Sequence, residues 1–219
     1  MGENGDSDRL VVSYLMLRRT VGILGVALPV VLSIGAVALG SSTGIEESIS
    51  NYYDTIMKGV FVGVLFAIGV FLFSYVGYAP EPDKKAYEPS DNVAGNLACI
   101  FALGVALFPT TSSNGAVRTV HLVSAAALFL TLAYFSLRLF TMTGGDPSPK
   151  KKARNRVYVV CGIFMLVCIA LVAIYGWFLQ DTAIASIKPV FWLESLALWA
   201  FGWSWFVKGE GLRPLNDPK

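Results

Sequence analysis

Glu194, His121 and Asp54 are the groups in this sequence best placed to do chemistry, because each is titratable and lies in or beside a long apolar run. Glu194 follows Lys188 by six residues, about 9 Å along a helix at 1.5 Å per residue. A carboxylate at that depth costs about 3 kcal/mol against lipid, so it should face other helices and find a partner there. His121 is the only histidine, and Arg118 three residues before it shares its helix face. Asp54 and Lys58 are four residues apart with the acid first, the favourable order for a helical pair. Lys58, Arg118 and Lys188 thus each open an apolar run, and each stands near a possible partner: Asp54, His121 and Glu194. If those three runs meet, the six groups form one polar cluster, roofed by residues 48–54 with Tyr53 among them.

Such a cluster suits two chemistries. In the first, Glu194 and His121 are the catalytic acid–base pair and exchange a proton near neutral pH. Asp54, Tyr53, Lys58, Arg118 and Lys188 then bind the polar head of an amphiphile. In the second, Asp54, His121 and Glu194 offer two oxygens and one nitrogen to a divalent metal with an open position. No two of those three share a helical i,i+3 or i,i+4 spacing, and no cofactor is identified by the sequence. The competing reading is structural. Outer-end Lys and Arg reach headgroups without any partner, and Glu194 serves as a helix-to-helix lock.

Six uncharged runs must position these residues: 20–45, 59–80, 92–117, 119–137, 157–180 and 189–207, the last broken only by Glu194. Each is long enough to cross a ~30 Å hydrocarbon core as a helix, which needs about 20 residues. The reading is an all-α bundle of six transmembrane helices in a single domain, 1–219, with spans at about 20–40, 57–78, 92–109, 118–140, 156–179 and 188–207. Apolar residues make up 55% of the chain and charged residues 15%, below the ~25% of a soluble domain. A net charge of +2 gives no reason to invoke nucleic acid.

The basic residues orient the bundle. Of seventeen Lys and Arg, only Lys58, Arg118 and Lys188 fall in the alternate gaps. The other fourteen lie in the N-terminal segment, the 79–91 and 141–155 loops, the adjoining span ends and the C-terminal tail. Basic loops stay inside during insertion, which places both termini in the cytoplasm of a multi-pass cell membrane protein, as in a bacterial inner membrane. Aromatic belts are expected from Tyr52, Tyr53, Tyr175, Trp177 and Trp192 outside and from Tyr75, Tyr78, Tyr158, Trp203 and Trp205 inside. The run Lys150–Arg156 sets topology and lies where anionic headgroups would meet it. Arg18–Arg19 before an apolar run of ~20 residues reads as a retained span, since a cleaved signal has a core of 7–15. Residues 10–17 read as a short interfacial helix before that span.

Packing devices fill the spans. Gly59 and Gly63 form a G-x-x-x-G suited to close helix approach, including self-association. Gly22, Gly25 and Pro29 suggest a kink in the first span. Cys99, Cys161 and Cys168 read as small apolar packing groups. In the inner halves, Asn96, Ser136 and Ser204 are the polar groups at depth.

The run Glu47-Ser48-Ile49-Ser50-Asn51-Tyr52-Tyr53-Asp54 before the second span is similar to bacterial six-span integral membrane proteins. It also distantly resembles the DRAM/Sfk group, whose first outer loop carries an Ile-Ser-Asp-type motif where this chain has Asn51. The likeness covers the chain in topology and about eight residues in motif, and it implies no activity. Intramembrane hydrolases of the ceramidase and adiponectin-receptor type resemble the chain in burying polar groups under a lid. Those use three histidines, an aspartate and a serine over seven spans. The expected function is binding or processing of a lipid-like amphiphile near the outer leaflet, with membrane lipids as partners. The alternatives are a small transporter with a proton or ion path through Glu194, and a structural or assembly protein without catalysis.

Overall fold

The computed structural model describes residues 3–75, 77, 90–143 and 145–217, with side chains from Val11 onward. Lys84, Lys85, Tyr78 and the last two residues lie outside them. The described residues are helical apart from loops. The long helices are α1 (Glu3–Ala38), α2 (Lys58–Phe73), α3 (Asp91–Leu107), α4 (Gly115–Tyr134), α5 (Pro149–Ile174) and α6 (Pro189–Lys208). Local chemistry sets their starts. The side chains of Ser90, Asn114 and Ser148 each accept a hydrogen bond from a first-turn N–H. Pro149 and Pro189 occupy the first helical turn, where the missing N–H costs nothing.

Four helices are long and apolar enough to cross a membrane: Val11–Ala38, Gly115–Leu139, Pro149–Leu179 and Pro189–Lys208. The second and third runs give shorter apolar helices of 16 and 17 residues, about 24 and 26 Å long. Residues 10–17 are not a separate interfacial helix. They continue without a break into α1, which also runs through Pro29.

Consecutive helices pack against one another, and α6 returns to pack against α1, closing a ring of six. Glycines permit the closest crossings. A Cβ on Gly22 would lie 2.6 Å from the Gly202 carbonyl, and one on Gly202 would lie 2.5 Å from the Gly22 carbonyl. Gly22 therefore serves backbone contact with α6, and Gly25 makes room for the Phe201 ring. Gly95 likewise sits under the Leu72 carbonyl. Gly59 and Gly63 have no neighbour within 4 Å. Their motif faces outward and is not used within the bundle.

Two helices are prolonged by π turns, Phe135–Leu139 after α4 and Tyr175–Leu179 after α5. The end of the ring at which α6 stops is filled by Tyr75, Phe135, Phe140, Tyr158 and Trp205, all buried. Tyr75, Tyr158 and Trp205 are thus core residues and not belt residues, as is Tyr52 at the other end. Trp177, Trp192 and Trp203 stay exposed, as a belt requires. The basic run at the start of α5 has a further role: Lys150 and Arg154 bond the Asn216 and Leu215 carbonyls and Arg154 pairs with Asp217, docking the tail.

Candidate active site

The loop between α1 and α2 folds inward as a 3-10 turn, Ile49–Asp54, with Ile49, Ser50 and Tyr52 buried. Ser48 caps it by accepting from the Asn51 N–H. A buried loop leaves backbone donors and acceptors that must be satisfied, and the expected pairing groups do that work. Glu194 Oε2 accepts from the Ile49 N–H at 2.7 Å. The Lys188 ammonium donates to the Ile45 carbonyl. The Phe191 N–H donates to the Glu47 carbonyl at 3.0 Å, and the Glu46 N–H to the Tyr52 hydroxyl at 3.2 Å. Burial pushes the Tyr52 phenol above its ordinary pKa, so it stays neutral.

The expected ion pairs do not form, for that reason. Glu194 binds loop backbone and touches none of Lys188, Arg118 and His121. Lys188 holds left-handed backbone, φ 53°, immediately before Pro189, and its ammonium is drawn onto the loop. Asp54 belongs to the 3-10 turn and Lys58 to α2, so their four-residue spacing is not helical. Asp54 is exposed, and Lys58 Nζ instead lies 3.9 Å from the Tyr53 ring centroid. Arg118 is exposed while His121, three residues on, is 2% exposed. Among the described residues no three His, Cys, Asp or Glu groups are placed to hold one metal ion, so Asp54, His121 and Glu194 do not form that set.

His121 has two partners that the sequence did not reveal. Its Nδ1 lies 2.5 Å from the Phe108 carbonyl oxygen and its Nε2 lies 2.9 Å from Ser50 Oγ. A carbonyl can only accept, so Nδ1 carries the proton of the neutral ring and Nε2 accepts from the Ser50 hydroxyl. Phe108 is the residue that ends α3, where helix carbonyls have no helical partner. Ser50 is 7% exposed. A serine hydroxyl, a histidine base and a group fixing the far ring nitrogen together make the arrangement of an activated nucleophile. Here a backbone carbonyl takes the orienting place.

Glu194 is then a positioning residue, acting through Ile49 on its neighbour Ser50. Glu194→Gln retains an acceptor oxygen and should change thermal stability little. Glu194→Leu leaves the Ile49 N–H without an acceptor, an expected loss of about 1–3 kcal/mol. Melting of both variants in detergent checks this. Equal effects would show that the carboxylate does not hold the loop.

Compared with known proteins, the chain matches no family model, no curated protein and no solved structure.

Proposed function

We propose that the chain is a six-span membrane protein with both termini in the cytoplasm, and that its outer-leaflet Ser50–His121 pair processes an amphiphile by acyl transfer through Ser50. The observation that carries this reading is the 2.9 Å contact from Ser50 Oγ to His121 Nε2, with Nδ1 held on Phe108. In the reaction, His121 takes the hydroxyl proton while Ser50 Oγ bonds to the carbonyl carbon of an ester or amide. The acyl–heteroatom bond breaks, His121 returns the proton to the leaving group, and water releases the acid from Ser50 in a second, matching step. Tyr53, Asp54 and Lys58 lie at the turn and the start of α2, where they meet a polar head.

A crossing by α2 is supported by depth. At its outer end α2 meets α1 where Met57 lies against Gly35. Beyond its inner end, Tyr75 stacks on Tyr14 and accepts from Arg18. The segment 57–75 therefore covers the same depth as residues 18–35 of a helix long enough to span. Reporter fusions after Gly44, Asn114 and Thr182 are expected to read as outside, and fusions after Lys151 and at the C-terminus as inside. An inside signal at Gly44 would remove the first span and the model with it.

Transport is the weaker reading. Between the two ends the buried core is Leu65, Ile68, Leu128, Met165, Leu198 and Phe201, and an ion path needs polar lining through the full depth. A structural lock remains the direct competitor, because the Glu194–Ile49 bond serves it equally well. The two differ in what Ser50 does when an electrophile is offered.

A further inference from the structure

Where α1 and α6 cross, their backbones touch, and side chains stand on either side of the contact. Gly22 and Gly202 form a floor, each lying against the other's carbonyl. Val30 and Val31 of α1 and Trp203 and Phe206 of α6 rise beside it. The groove between them has a volume of about 450 Å³ and is lined by apolar side chains and glycine alone. Trp203 and Phe206 stack at 6.3 Å and 25°, which makes their wall continuous. Val30, Val31 and Trp203 are 42%, 45% and 47% exposed, so no described element covers the groove. Both helices are long and apolar enough to cross a membrane, and the groove therefore opens onto hydrocarbon.

Its dimensions suit one acyl chain. Residues 22–31 extend about 14 Å along α1, close to the half of a ~30 Å hydrocarbon core that one leaflet fills. Spread over that length, the volume gives a cross-section of about 30 Å², against about 80 Å² for a helix 10 Å across. At the end where α6 stops, the groove meets a cation. Arg19 precedes Gly22 by three residues and continues the same face of α1. Its Nε donates to the Gly209 carbonyl at 2.6 Å and its Nη2 to the Glu210 carbonyl at 3.2 Å. These bonds cap α6, and Gly211, the next residue, lies against the Phe206 ring that ends the groove. A guanidinium carries five N–H donors, so capping leaves three. Among the described residues no carboxylate pairs with them, since Glu210 meets Arg19 through its carbonyl. Arg19 is half-buried, with part of its surface open beside the groove.

We infer that this groove binds one phospholipid of the leaflet on that side, with an acyl chain along residues 22–31 and the phosphodiester on Arg19. Charge complementarity selects the headgroup. A phosphate oxygen accepts from a guanidinium in a charge-assisted bond whose geometry suits arginine. Neutral diacylglycerol offers Arg19 no anion, and neither does an apolar helix of a second copy. The site is separate from the Ser50–His121 pair and needs only that α1 and α6 cross the membrane.

Phosphatidylglycerol with brominated chains, titrated into the protein in maltoside micelles, tests this by quenching of tryptophan fluorescence. A saturable component is expected, and Trp203→Phe should remove it. Brominated diacylglycerol should bind at least about tenfold more weakly, and Arg19→Gln should weaken phosphatidylglycerol by a similar factor. Val30→Phe fills the groove from an exposed position and should weaken the lipid at least about fivefold. It carries the test if Arg19→Gln, which also uncaps α6, does not fold. Quenching that only rises in proportion to lipid, equal affinity for the two lipids, or unchanged affinity in the folded variants overturns the site. So does a Val30→Phe variant that passes from dimer to monomer by light scattering with its quenching unchanged, because that result seats a second copy in the groove.

Discussion

Ser50→Ala is expected to abolish turnover of an ester-linked amphiphile, and His121→Ala to lower it by at least about a hundredfold, the usual contribution of a positioned general base. Both side chains are buried and bonded to each other, so each variant also leaves a polar partner unsatisfied, at about 1–3 kcal/mol. Rate and stability must therefore be read together. A pair that serves only as a lock loses stability in both variants and shows no esterase activity to begin with. A nucleophile and base lose rate far beyond anything the shift in melting explains. Ser50→Cys sharpens the distinction. A thiol at the same position keeps a nucleophile within reach of His121, and it should retain covalent reactivity toward an alkylating amphiphile that Ser50→Ala lacks.

The second large effect concerns the scaffold. Gly202→Val should destabilise the bundle by about 3 kcal/mol, at the upper end for overpacking. A Cβ there would sit 2.5 Å from the Gly22 carbonyl and 2.6 Å from Val26 Cγ2. The first of these is backbone and cannot swing aside, so α1 and α6 must separate. Because α6 carries Glu194 and begins directly after Lys188, both of which hold the 45–50 loop, the Ser50–His121 site should loosen with it. Gly59→Val and Gly63→Val supply the contrast. An added Cβ at either position meets nothing within 4 Å, and their effect on stability, read from melting at a fixed scan rate, should be within about 0.5 kcal/mol. Equal losses at Gly202 and Gly63 would contradict the assigned α1–α6 contact.

The apolar runs made the helices legible, because the length of an uncharged segment is a property of sequence alone. The side each helix presents was less so. Gly59 and Gly63 read as the contact motif, yet the close contact within the ring is made by Gly22 and Gly202, which are 180 residues apart. At the Ser50–His121 site, Glu194, His121 and Lys188 were visible because charge and imidazole are scarce in apolar runs, and all three do bond to the folded loop or beside it. Their partners were not visible. Ile49 N–H, Ile45 C=O and Phe108 C=O are backbone groups and carry no signature in side-chain type. Ser50 is one of several serines in its loop, and nothing but the fold brings it to His121. Arg18, Lys151 and Lys208 were absorbed into the topology count, since a charge that flanks a span looks the same whether it meets headgroups or an aromatic core.

The most direct measurement is peptide mapping by mass spectrometry after treating the protein in lipid micelles with a long-chain fluorophosphonate. One phosphonyl adduct is expected, on Ser50, with its rate of formation lowered about a hundredfold in His121→Ala while that variant remains folded. Ser50 left unmodified under conditions that fully label a serine hydrolase added to the same micelles would contradict the activated nucleophile and leave the outer cluster as a lock on the loop.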